Sequence, residues 1–157
     1  MNAASLKSAS RRVRSLSWPE RALLCEAAAW LAGSRLAVVV LPYRVLARRL
    51  GDHMAETPFD DTSPAVGRVG GAIQAVARHT PWRSKCLEQA IAAKAMLRRR
   101  GVQNTLYLGV ARDASGPDRR IIAHAWVRSG TVHVTGGAGV DAYAVVASYA
   151  DRPDPRR

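Results

Sequence analysis

The chain has 157 residues and a mass of 17.0 kDa, enough for one hydrophobic core and too short for two ordinary domains. A formal net charge of +12 and a pI near 11.1 would suit nucleic acid, an anionic membrane or an acidic peptide. The cations are dispersed, however, among Arg11, Arg12 and Arg14, Arg48 and Arg49, Arg98 to Arg100, and Arg119 and Arg120, and cations in the last turn of a helix answer to its dipole alone. A single Phe with scattered Trp and Tyr gives no stacking platform for single strands. A basic nucleic-acid-binding module is therefore the weakest class, and no nucleic-acid partner is expected. Two cysteines, Cys25 and Cys86, exclude a multiply bridged secreted scaffold and point to a reducing, cytoplasmic setting.

Residues 1–16 are rich in Ser, Ala and Arg and read as a basic flexible tail. Ser17-Trp18-Pro19-Glu20 has the shape of a capping box before an apolar run, with Pro tolerated in the first turn. Gly33 is expected to end that helix, and Cys25 to be a small buried hydrophobe within it. A second helix is expected from Ser34 towards Leu41, with Pro42 bending or restarting it and Tyr43 to Leu50 continuing to Gly51. The apolar stretch from Ala22 to Leu41 is divided by Glu26 and Arg35 into pieces shorter than the ~18 residues a membrane span requires, so no transmembrane segment is expected. Residues Asp52 to Thr62 read as a polar loop.

Ser63-Pro64 opens a helix through Val66, Val69, Ile73 and Val76, in which Gly67, Gly70 and Gly71 weaken it or mark close packing. From Ser84 to Arg100 the apolar positions Leu87, Ile91, Ala95 and Met96 predict an amphipathic helix stopped by Gly101, with Cys86 in its first turn. Beyond Gly101 the period changes to strands at Thr105 to Ala111, Ile121 to Val127 and Thr131 to Thr135. A two-residue loop at Ser129-Gly130 would set His124 opposite Thr135 and Trp126 opposite His133. Alternation puts Ile122, His124 and Trp126 on one face, where a helix bearing Cys86 could pack. Helices followed by an antiparallel sheet make the class α+β, as one domain over residues 17–150 with a flexible tail at 151–157.

Cys86 and His124 are the residues with chemistry to offer. Free N–H groups and the helix dipole at an N-terminus favour a thiolate, and the Cys86 N–H is a candidate oxyanion donor. His124 would serve as general base to the thiol and then as acid to a leaving amine. Against this stands the plainer possibility that Cys86 and His124 are core residues. The two Cys and four His lack metal-ligand spacing, and no motif for binding a cofactor is recognisable.

The run Pro81-Trp82-Arg83-Ser84-Lys85-Cys86-Leu87-Glu88-Gln89-Ala90, then Met96 to Gly101, Leu106-Tyr107-Leu108-Gly109-Val110 and Ala123-His124-Ala125-Trp126-Val127, resembles the leader peptidases of lasso-peptide biosynthesis, the microcin-processing, transglutaminase-like cysteine protease family. The resemblance spans roughly Trp18 to Val146 and includes Leu41-Pro42-Tyr43. It implies a papain- or transglutaminase-like fold, N-terminal helices plus a nucleophile helix on a small antiparallel sheet, with Cys86 as nucleophile and His124 as base. The family's third member is an acid near where Thr135, Gly136 and Gly137 stand here. This chain departs from that pattern, leaving Thr135 through its hydroxyl, or Asp141 from the following turn, to orient the imidazole. Trp82 would wall the site and Trp126 pack beneath His124, or both are plain core aromatics.

The resemblance further implies removal of a leader from a ribosomally made precursor of a lasso or related modified peptide, with possible ATP dependence of that processing step. Its implied partners are the precursor leader, a small leader-recognition protein and an ATP-using macrolactam synthetase. The residues before Trp18 are too few for a fused recognition domain, so that protein is expected as a separate chain. The missing acid leaves a second class open, a non-catalytic scaffold of the same fold that binds precursor and partners without cutting.

Overall fold

The computed structural model describes residues 16–59, 63–113 and 120–151. The tails expected at 1–16 and 151–157, apart from Leu16 and Asp151, and most of the turn-rich link expected between the first two strands, Asp113 to Asp118, lie outside those residues. Helix α1 (Trp18–Val40) begins as the sequence predicts: the Ser17 N–H donates to Glu20 Oε2 at 2.7 Å. It does not end at Gly33 but runs unbroken to Val40. Gly33 has a helical φ, and Leu31 and Ser34 on either side of it are buried, so packing outweighs its low propensity. Pro42 then starts the short α2 (Tyr43–Ala47).

The segment expected as a polar loop contributes a strand, β1 (Asp52–His53). Helices α3 (Ala65–Ala77) and α4 (Cys86–Arg99) follow as expected, then β2 (Thr105–Arg112), β3 (Ile121–Ser129) and β4 (Val132–Thr135). A 3-10 turn (Val140–Ala142) leads into β5 (Ala144–Ala150), a strand the sequence reading did not anticipate. The five strands form one antiparallel sheet in the order β1-β5-β2-β3-β4. The α+β class stands.

One face of the sheet carries the core. Leu106, Ala125, Val127, Ala147 and Tyr149 pack with Ala90, Ala93, Met96 and Leu97 of α4 and with Val66, Val69 and Ile73 of α3. Gly70 permits α3 to approach β4 closely, since a Cβ there would stand 2.6 Å from the Val134 carbonyl oxygen. Lys94, 3 % exposed, is held by Asp151 at 2.9 Å and by the Tyr149 carbonyl at 3.1 Å. Burial pushes its ammonium below the usual lysine range, and Asp151 opposes that. Asp151, assigned by the sequence reading to the tail, is thus buried and part of the domain.

The other face carries Tyr107, Gly109, His124, Trp126 and Arg128. Buried Arg128 lies 3.7 Å from the Phe59 ring centroid and donates to Thr57 O, Gly130 O and the Tyr107 hydroxyl, pinning segment 56–59 over this face. The β3–β4 hairpin turns through Gly130-Thr131, because Ser129 pairs with Val132, and a bulge between Val127 and Arg128 shifts the register. Val127, not His124, therefore faces Thr135, and Arg128, not Trp126, faces His133. His124 and Trp126 do share a face, but α4 packs on the opposite one, through Ala125 and Val127.

Candidate functional site

Cys86 is the first residue of α4 and is partly buried against the core. The first-turn N–H groups that follow it have no acceptor within the helix. Glu88 Oε2 accepts the Lys85 N–H at 3.2 Å, but a lysine side chain has no acceptor to complete a reciprocal cap. The Glu88 charge, almost fully buried, is met by Arg35 at 2.8 Å. The chain entering the helix is fixed by Thr80, whose hydroxyl donates to the Trp82 carbonyl at 2.7 Å and lies 3.0 Å from Ser84 Oγ. Gln89 reaches back to the Ser84 carbonyl at 2.9 Å. Trp82 keeps its indole N–H buried and without a partner. Cys25, expected to be buried, is exposed on the outer side of α1, opposite the inward Ala27 and Leu31.

His124 is half-buried in an aromatic setting. Its ring centroid lies 5.9 Å from that of Trp126 and 5.0 Å from that of Tyr143, and Tyr107 stacks on Trp126 at 5.3 Å. The His124 Nε2 atom stands 2.7 Å from the Gly136 carbonyl oxygen. A carbonyl oxygen can only accept, so Nε2 carries the proton and the neutral ring keeps Nδ1 as its basic atom. Gly136 has φ +68°, and a Cβ there would stand 2.6 Å from Ala125 O and 3.1 Å from His124 Nε2. Only glycine brings this backbone so close to the ring.

The residues considered for the third position lie elsewhere. Thr135, paired with Val127, shares that residue's α4-side face, and its buried Oγ1 has no hydrogen-bond partner. Asp141 is exposed in the 3-10 turn and makes no hydrogen bond or ion pair with His124. The group that orients the imidazole is thus a backbone carbonyl. Sequence reasoning missed it because a carbonyl has no residue type, although the Gly136-Gly137 pair after a strand was a signal of close backbone approach. Tyr143 was missed because its segment was not read as structured.

No hydrogen bond joins Cys86 to His124. The sheet nevertheless carries both away from the same end. Lys94 ties α4 to Asn104 and Tyr149 beside Thr105, and the helix carries Cys86 about 12 Å from there. Along β3, His124 lies roughly 13 Å beyond Arg128, the residue that pairs with Thr105. The residues past His124 on this strand, Ile121 to Ala123, are exposed, as are Ala144 to Val146 on β5. Cys86 and His124 thus stand at comparable distances from the closed end of the sheet, on its two sides.

The sequence pattern of the transglutaminase-like superfamily matches residues 28–148. Comparison with curated proteins and with solved structures gives no match. The matched span runs from α1 into β5 and takes in the Cys86 helix, the sheet and the His124 strand together, and by this pattern and this fold the chain belongs to the transglutaminase-like superfamily.

Proposed function

We propose that this protein is a cysteine peptidase that removes the leader from a ribosomally made precursor peptide, in lasso-peptide or closely related biosynthesis. The superfamily includes cysteine peptidases, and the narrower assignment rests on the ordered motifs around Cys86, Gly109 and His124. The observation that carries it is the His124 ring, fixed through Nε2 on the Gly136 carbonyl with Nδ1 left as the base. A histidine so held keeps Nδ1 available to take a proton, which supports this reading.

In this reading Nδ1 accepts the Cys86 thiol proton and Sγ attacks the carbonyl carbon at the leader–core junction, with first-turn N–H groups of α4 receiving the oxyanion. The tetrahedral adduct breaks its C–N bond as Nδ1 returns the proton to the amine of the core. Water then hydrolyses the thioester, regenerating the thiol and releasing the leader carboxylate. Because Cys86 and His124 stand on the two sides of the sheet with no hydrogen bond between them, this mechanism requires a rearrangement of the exposed ends of β3 and β5 on binding, beyond the tightening of a side-chain contact. A separate leader-recognition protein would present the precursor, and an ATP-using macrolactam synthetase would consume the freed core in the cytoplasm. This chain carries no phosphate loop motif, so ATP dependence would enter through a partner.

Among the described residues no carboxylate stands beside His124, which favours a second reading, a scaffold that holds precursor and partners without cutting. The deciding experiment is mass spectrometry of a candidate precursor incubated with the leader-recognition partner and either wild type or Cys86→Ala, with and without ATP. Leader and core fragments from wild type alone support the peptidase. Binding of precursor by both proteins with no fragments supports the scaffold and refutes the peptidase.

A further inference from the structure

Helix α1 has two apolar sides, and only one is covered. Ala27, Leu31 and Ser34 are buried against α3 and α4. On the outer side, Trp18, Ala22, Cys25, Ala29, Ala32, Leu36 and Val39 recur at alternating steps of four and three, all exposed. They form an uncharged stripe about 32 Å long. Trp18 is 80 % exposed, Leu36 65 % and Val39 64 %, and exposed apolar residues continue with Val40 at the end of the helix and Tyr43 beyond it.

A surface helix ordinarily turns charge outward. Here the four charged residues of α1 have intramolecular partners instead: Glu20 caps Ser17, Arg21 donates to the Leu16 carbonyl, Glu26 pairs with Arg99 and Arg100, and Arg35 pairs with Glu88. Hydrogen bonds from Arg100 hold the Glu26 carboxyl below its usual range, so that pair is kept at neutral pH.

The helix is long and apolar enough to cross a membrane by length and composition. Its inner side belongs to the protein core, so it cannot be ringed by lipid, but its outer side can lie on a bilayer. The residues just beyond the stripe decide between occupants. Arg44, Arg48 and Arg49, which follow the stripe in the chain, are exposed, and Arg48 and Arg49 line a cleft with Asp52 and Arg98. A second copy of a chain with net charge +12 would bring the same cations, and the two acids of its α1 are already engaged.

We propose that the outer side of α1 and the Arg44–Arg49 cations form a peripheral docking surface for an anionic lipid bilayer. The apolar stripe sinks into the headgroup boundary while the arginines meet phosphate.

The test is co-sedimentation with vesicles of equal parts phosphatidylcholine and phosphatidylglycerol, against phosphatidylcholine alone, with alkylation of Cys25 by a water-soluble maleimide read by peptide mass mapping. The expected result is salt-sensitive binding to the anionic vesicles only, with Cys25 alkylation slowed several-fold on binding. Replacing Arg44, Arg48 and Arg49 by Gln should weaken binding about fivefold per residue, on the order of a hundredfold for the three. Replacing Leu36, Val39 and Val40 by Ser should abolish it. Absence of sedimentation overturns the proposal, as does binding that leaves Cys25 alkylation unchanged in the unmodified chain. A dimer by light scattering that protects Cys25 without vesicles assigns the stripe to a second copy and overturns it equally.

Discussion

Replacing Gly136 by Ala separates the carbonyl–imidazole contact from ordinary backbone strain, because the chain supplies its own control. Gly136 and Gly139 have nearly the same left-handed φ, +68° and +70°. An alanine at either should cost about 1–2 kcal/mol for that conformation alone. At Gly139 the added Cβ meets nothing within 4 Å, whereas at Gly136 it meets Ala125 O at 2.6 Å and His124 Nε2 at 3.1 Å. The Gly136 variant must therefore move its backbone away from β3, lengthening or breaking the 2.7 Å bond to His124. A further ~1–3 kcal/mol is expected from the displacement. For a chain of this size Gly139→Ala should lower Tm by roughly 2–8 °C, and Gly136→Ala by about twice as much.

Stability alone does not test the role of the contact, so the decisive readout is the ring. In ¹⁵N-edited spectra of wild type at a pH where the ring is neutral, His124 should be the Nε2–H tautomer. Gly139→Ala should preserve that signature and Gly136→Ala should mix the tautomers. Peptide cleavage, if the peptidase reading holds, should fall on the order of a hundredfold in Gly136→Ala through misplacement of the base. A wild-type ring protonated at Nδ1, or a Gly136→Ala protein with an unchanged ring signature, would refute the reasoning whatever the cleavage assay gives.

Further substitutions probe the scaffold beneath the site. Lys94→Ala removes the nearer cation of buried Asp151, leaving Arg98 at 3.7 Å and the Asn104 amide, and should cost about 3 kcal/mol by urea denaturation, more than an exposed lysine would. Gly70→Ala forces α3 from the Val134 carbonyl and should destabilise, whereas Gly71→Ala meets nothing within 4 Å and should stabilise by about 0.5–1 kcal/mol. Burial and the Tyr149 hydroxyl push Tyr43 up to about 12. The native state therefore keeps a proton that the unfolded chain releases near pH 10, and stability should fall as pH rises through the interval from about 10 to about 12. Tyr43→Phe should remove that share of the alkaline loss.

Local signals carried the helices and failed where distant parts of the chain meet. The Ser17-Glu20 cap, the Pro64 start of α3 and the Leu87–Met96 stripe of α4 are patterns of neighbouring residues, and each formed where the pattern placed it. Gly33 misled because its cost is local while the burial of Leu31 and Ser34 is not. Strand β5, Ala144–Ala150, has alanine at three of its seven positions and alternates weakly. It is held by β2 and β1 on its two sides, which no window of its own sequence contains. The hairpin was displaced twice, by a turn at Gly130-Thr131 one residue later than expected and by a bulge at Val127/Arg128, and together they change which residues face Thr135 and His133.

That bulge bears directly on the chemistry of the site. With the observed turn and a regular ladder, Thr135 would have stood opposite Trp126, on the face of the sheet that carries His124. The bulge pairs Thr135 with Val127 on the α4-side face, where its hydroxyl is buried and unpaired, and carries the following carbonyl past the edge of β3 to Nε2. A carbonyl fixes the tautomer as a carboxylate would, but it brings no charge to stabilise the imidazolium. The consequence is specific: the ring is oriented at rest without a counter-charge from that contact. A substrate or partner carboxylate that approaches His124 would supply that charge. Cleavage should therefore depend on the acidic residues of the presented peptide or partner, and replacing those residues by their amides should slow the chemical step while leaving the resting His124 tautomer unchanged.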